Sequence, residues 1–229
     1  MAPNNRSGSS SPTVKPSIFG RPPFDRRLSV EPKRATRRLS CGPKAPAQEE
    51  FCELLDRFFQ NWVYAAPPCA LLLVTLYPFV GTTVELSVYL SLPAYMIHQY
   101  EEHDDNRFAV FLNTIMGKDR RGLTPRDVWV INVIFVWFFL LAVFYMARAN
   151  PGWGVLAGYL LAINGFVHIA WAVKFRAYNP GLWTAIALFI PGAIWIFLAV
   201  PASLTIHAAS ALLVVALHAA IMALARRIA

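Results

Sequence analysis

Charge is what this sequence has least of. Only 15% of its 229 residues are Asp, Glu, Lys or Arg, where a soluble domain carries about a quarter. Beside a hydrophobic content of 56%, that scarcity excludes an ordinary water-soluble globule. Cysteine is scarce too. Cys41, Cys52 and Cys69 cannot build a disulfide framework, and their spacing suits no zinc module. Seventeen prolines exclude an uninterrupted coiled coil. Acidic residues are few in positions 1–48, which hold ten Lys or Arg against two acids. The other 181 positions balance, so the whole formal charge of +8 lies in this first fifth. A nucleic-acid module does not fit so apolar a remainder, and no secretory signal pattern is read in the tail.

The tail, residues 1–48, is rich in Ser, Pro and Arg. It has too little apolar surface to offset the entropy of ordering, so it is expected to be disordered. It repeats one pattern, Arg26-Arg27-Leu28-Ser29 and Arg37-Arg38-Leu39-Ser40. Two arginines ahead of a serine suit a basophilic kinase, which makes Ser29 and Ser40 candidate phosphorylation sites. Phosphate there cancels positive charge and loosens contact with anionic lipid. The same composition resembles an organelle transit peptide.

Residues 49–229 read as an integral membrane domain. Apolar runs fall at 62–80, 128–146, 155–173, 182–200 and 205–225. Each is about 19–21 residues, enough to cross a ~30 Å hydrocarbon core. A sixth run, 84–97, reaches that length by continuing through His98-Gln99-Tyr100-Glu101-Glu102. The expected fold is all-α, a polytopic bundle of about six transmembrane helices. Lys118, Arg120, Arg121, Arg126, Lys174, Arg176, Arg226 and Arg227 fall on one side of such a bundle, and Arg148 stands on the other. The excess of positive charge predicts that both termini are cytoplasmic, or on the equivalent side of an organelle membrane. Residues 108–116 are expected to lie along the interface. Pro67, Pro68, Pro78, Pro93 and Pro191 punctuate the runs.

An ionisable residue inside a membrane segment is a functional hypothesis by default. His98, His168 and His218 each lie 13 or 14 residues into their runs from the outer side, roughly 20 Å at 1.5 Å per residue. They share a level, and His207 does not. On a helix, Glu101 and Glu102 lie about 60° and 40° to either side of His98, which puts the three on one face. His103, about 140° away, is expected to point elsewhere. Asn164 and His168 are an i, i+4 pair on one face of the fourth span. Two chemistries follow. His98, Glu101, Glu102, Asn164 and His168 can form an acid–base site, with a carboxyl held partly protonated by burial and by its like-charged neighbour. Alternatively His98, Glu102, His168 and His218 can bind a divalent metal, and imidazole with carboxylate suits zinc, iron or manganese.

His98-Gln99-Tyr100-Glu101-Glu102 resembles the motif of the HXXEE-domain proteins, which are mostly bacterial multi-pass membrane proteins. Asn164, His168 and the stretch Arg176-Ala177-Tyr178-Asn179-Pro180-Gly181-Leu182-Trp183-Thr184 resemble that family's second block. The resemblance implies a shared binding or active site over residues 60–225 and names no reaction. Two features depart from the family pattern: His103-Asp104-Asp105-Asn106 after the double glutamate, and the basic tail. The inverted zinc-protease pattern H-x-x-E-H is not met, because the extra glutamate moves His103 to i+5. Asn179 and Pro180 suit the start of a helix.

The function expected from these features is enzymatic. It is acid–base or metal-assisted chemistry on a lipophilic small molecule, such as an isoprenoid, polyene or lipid, at the cytoplasmic side of the bilayer. Trp171, Trp183 and Trp195 offer π faces to a developing cation. Two alternatives are a proton-coupled transporter, against which stands the lack of an inverted repeat, and a scaffold acting through its basic tail.

Overall fold

The computed structural model describes residues 46–79, 81–116 and 124–228. Residues 1–45 of the tail, with Ser29 and Ser40, and the basic stretch holding Lys118, Arg120 and Arg121 lie outside them, while Pro46–Asn61 at the tail's end is helical. The described residues are helical, with no strand among them. In chain order the helices are α1 (Pro46–Asn61), α2 (Ala66–Thr75), α3 (Thr83–Tyr89), α4 (Ser91–His103) and α5 (Arg107–Met116). There follow α6 (Pro125–Ala149), α7 (Val155–Phe175), α8 (Leu182–Ala199) and α9 (Leu204–Ile228).

Among the described residues, four segments are long and apolar enough to cross a membrane, and they fall in α6 to α9 with the turn before α7. The first two expected spans are built differently. Residues 62–79 form a 3-10 turn, Trp62–Ala65, the ten residues of α2, and a second 3-10 turn, Tyr77–Phe79. Pro67 and Pro68 sit in the first turn of α2, where a missing N–H costs least. The second region divides at Leu90 into α3 and α4, with Pro93 in the first turn of α4. The stretch expected along the interface is α5.

Local signals set the helix starts. Thr82 caps α3, and Thr124 caps α6 with Pro125 just inside. In both, an acid three residues on returns a bond to the cap's backbone N–H: Glu85 at 3.0 Å and Asp127 at 3.0 Å. Glu85 also meets Arg148 at 3.1 Å, which ties the start of α3 to the end of α6. Two helices carry a widened π-helical stretch, Val130–Trp137 in α6 and Ala185–Phe189 in α8. The second ends two residues before Pro191 and makes room for its ring.

The core lies where α3, α6, α7 and α8 meet. Leu140, Val143, Val155, Leu160, Leu161, Phe189 and Ile196 are buried there. Gly158 brings α7 against α8, since a Cβ at that position would lie 2.8 Å from the Phe197 ring. The outward faces are apolar too, with Phe135, Phe138, Leu198, Leu212 and Val215 exposed. Helices apolar on both faces suit a bilayer and not water.

Candidate functional site: a buried histidine–glutamate cluster

Helix α4 carries His98 and Glu102 at i, i+4, one above the other on its buried side. Helix α7 brings His168 alongside, with the two imidazole centroids 4.8 Å apart. Glu102 Oε2 lies 3.6 Å from His98 Nε2, and Glu102 Oε1 lies 3.6 Å from His168 Nε2. All three side chains are buried. One ligand atom from each lies within 4.8 Å of the others, so this cluster can hold a metal ion. Ligand atoms ~2.1 Å from a tetrahedral ion stand about 3.4 Å apart, close to the two spacings seen here.

Neighbouring hydrogen bonds fix the imidazole tautomers. His98 Nδ1 lies 2.9 Å from Thr184 Oγ1, and Thr184 Oγ1 lies 2.6 Å from Glu101 Oε2. A hydroxyl has one proton, and the carboxylate takes it, so Thr184 Oγ1 accepts from His98 Nδ1–H. Asn179 donates from Nδ2 to the His168 carbonyl at 2.9 Å, which turns its Oδ1 toward His168 Nδ1 at 2.7 Å. Oδ1 only accepts, so His168 is also protonated on Nδ1. When the two rings are neutral, both Nε2 atoms therefore present lone pairs toward the Glu102 carboxylate. His98 Nε2 is buried without a hydrogen-bond partner. Lone pairs facing a carboxylate in an apolar interior repel unless a cation or a proton stands between them. Ligating histidines are held by their other ring nitrogen in the same way.

The two glutamates do not act together. Glu101 turns away from the cluster and caps α8. Its carboxylate accepts from the backbone N–H groups of Trp183 at 3.1 Å and Thr184 at 2.7 Å, from the Thr184 hydroxyl, and from Tyr178 Oη at 2.8 Å. A carboxylate at a helix N-terminus satisfies orphan donors and the helix dipole together. In the turn before α8, partial burial and then this carboxylate push the Tyr178 phenol up to about 12, so the clasp keeps its proton at neutral pH. Glu101 touches His98 only through Thr184.

His103 does reach the cluster, contrary to the helical-wheel expectation. It is the last residue of α4, where the wheel no longer applies, and its Nε2 lies 3.2 Å from Glu102 Oε2. A chain of amides stands behind it. Trp137 Nε1–H can only donate, and it does so to Gln99 Oε1 at 2.5 Å. Gln99 Nε2 then donates to Asn132 Oδ1 at 2.9 Å. The Asn132 amide nitrogen is left facing the Val128 carbonyl at 2.8 Å and His103 Nε2 at 3.1 Å. His103 Nε2 thus stands between a donor and an acceptor. Sequence reasoning missed Gln99, Asn132, Trp137 and Thr184 as partners of the site. The available signal was that Asn132 is a polar residue inside an apolar run.

The turn Asn179-Pro180-Gly181 closes over the cluster. Gly181 has φ of 91°, which favours glycine. A Cβ there would stand 2.7 Å from His98 Cε1 and 2.8 Å from His168 Cε1.

Beside the cluster lies a cavity of about 110 Å³, with Glu102, His103 and His168 in its wall and Ile131, Val136 and Trp171 among its apolar lining. Asn164 lines it too. Its Nδ2 donates to Tyr95 Oη at 2.7 Å, and its buried Oδ1 has no partner. His218 faces the cavity from α9 with Nδ1 donating to the Val214 carbonyl at 2.9 Å, and it stands outside the group of three. His207 is elsewhere, against Tyr159 Oη at 3.2 Å.

Residues 89–196 match the family model described as a protein of unknown function with HXXEE motif. Over that stretch, 108 of the 229 residues, the chain is similar to the HXXEE family. The match takes in every residue of the cluster, together with Asn132, Trp137, Asn179, Gly181 and Thr184, and it ends before α9. No curated protein and no solved structure matches the chain.

Proposed function

We propose that this protein is a membrane-embedded enzyme acting on a lipophilic substrate with the help of a divalent transition metal held by His98, Glu102 and His168. The observation that carries the reading is the pair of Nε2 lone pairs facing one buried carboxylate, with each histidine held from behind by a hydrogen bond. Zinc, iron or manganese suits two imidazoles and a carboxylate and leaves coordination positions open. Such an ion supplies Lewis-acid chemistry, or oxidation chemistry where it is iron.

The chain's own groups have distinct parts in this reading. Thr184 and Asn179 orient the two imidazoles. His103, at Glu102, takes or returns a proton. Asn164 offers an unpartnered amide oxygen to a hydroxyl or amine on the substrate. The apolar cavity excludes water and favours a lipophilic molecule. Lys174 and Arg176 close α7 just past His168, which favours a cytoplasmic position for this end.

One observation favours a metal-free alternative. His103 Nε2 sits between Asn132 and Glu102 and can exchange one bonding arrangement for the other by moving a proton, as an acid–base site requires.

The test compares lipid extracts of cells making the wild type, His168→Ala and a form lacking residues 1–48. A lipid species altered by the wild type and the truncated form, but not by His168→Ala, supports the enzyme. Identical extracts for wild type and His168→Ala would overturn it. An effect lost only on truncation would favour a scaffold.

A further inference from the structure

We propose that the cavity beside the cluster holds the hydrocarbon chain of a single-chain amphiphile, which enters from the bilayer through the seam between α6 and α9. This rests on the metal-centre reading for what anchors the polar end. The seam and the cavity are separate observations.

Three features carry it. The first is the lining. Around Glu102 and His168 the walls are Ile131 and Val136 of α6, Trp171 of α7, and Leu217 and Ile221 of α9. At about 110 Å³ the space has room for on the order of four waters at ~30 Å³ each. That suits a length of one alkyl or isoprenoid chain and is too small for the paired chains of a phospholipid. The second is the wall that α9 forms. This helix packs on α7 and on the turn Pro151–Gly154, and only weakly on α6. Its membrane segment is 11% buried, against 28% to 44% for the other three. The cavity is thus bounded by a helix held along one side. The third is orientation. Glu102 and His168 belong both to the cluster and to the cavity wall, so a chain lying along α9 brings its polar end to them.

The chemistry defines the ligand as a linear chain ending in an oxygen function, a carboxylate, hydroxyl or carbonyl, able to reach the cluster. Part of the cavity wall, Leu217, Ile221 and Met222, comes from α9, beyond the residues the family model matches. Selection among chains by these three residues therefore lies outside the shared motif.

The probe is dodecanohydroxamate with a diazirine in its alkyl chain, irradiated with the full-length protein in phosphatidylcholine nanodiscs. Metal content is measured on the same samples. Wild type is compared with Ile221→Trp, which fills the cavity, and with Leu213→Trp on the exposed face of α9. The proposal expects labelling at Ile131 and Val136, reduced at least tenfold by Ile221→Trp and unchanged by Leu213→Trp. Metal content should be equal in all three, which also shows that the variants fold. Equal labelling of these residues in wild type and Ile221→Trp, or labelling confined to outward residues such as Leu212, would overturn it. Cavity labelling without bound metal would uphold the chain site and overturn the metal centre. Bound metal without cavity labelling would do the reverse.

Discussion

His98 and Thr184 are 86 residues apart and share one hydrogen bond of 2.9 Å, in which the imidazole Nδ1–H donates to the hydroxyl oxygen. That hydroxyl donates its own hydrogen bond to Glu101. The motif His98-Gln99-Tyr100-Glu101-Glu102 therefore divides its labour. The histidine and the second glutamate face the cluster. The first glutamate fixes the start of α8, and through Thr184 it sets which nitrogen of His98 is bare.

Thr184→Val keeps the shape and removes both hydroxyl bonds. His98 then loses the acceptor that selects its tautomer. Loss of such a supporting partner lowers metal affinity roughly 10–100-fold. Competition with a chelating dye measures it, and an affinity equal to wild type would show that Thr184 has no part in the site.

Glu101→Gln leaves the cluster's three side chains in place but weakens the cap on α8. The expected effect is a lower Tm in detergent with metal still bound. A full loss of metal would place Glu101 among the ligands, against the 2.6–3.1 Å bonds that hold it elsewhere.

Gly181→Ala adds one methyl where the two imidazoles come closest. The left-handed backbone there also costs an alanine about 1–2 kcal/mol. The variant should lose stability by that order and lose metal binding as the histidines are driven apart. Wild-type stability and metal binding would mean that the turn does not close over the cluster.

Asn132→Leu breaks the amide chain in the middle. Gln99 keeps the Trp137 donor but loses its acceptor, and His103 loses a partner. A buried polar group stripped of its partner costs about 1–3 kcal/mol. Chemical unfolding in mild detergent reads the loss, and a neutral result would mean that water replaces the amide.

Much of this was legible in the sequence. The runs that became α6 to α9 announce themselves by length and apolarity. His98, Glu102 and His168 stand out because charge inside such segments is costly. The divided regions were less legible. Pro67, Pro68 and Pro93 mark where helices start, yet the apolar count over 62–80 reads as one span. The helical wheel placed Glu101 and Glu102 on a common face, but about 100° separates them, and α8 claims the first. His103 was misread because it ends its helix. Thr184 and Asn179 reach the histidines across a turn, and no local spacing announces that.

The most direct measurement is the metal content of the purified full-length protein, beside His98→Ala, Glu102→Ala, His168→Ala and Glu101→Gln. The account predicts near one equivalent of zinc, iron or manganese in the wild type and in Glu101→Gln, and its loss in the three alanine variants. Folded wild-type protein that binds none of these metals when they are supplied, or alanine variants that bind as the wild type does, would contradict it.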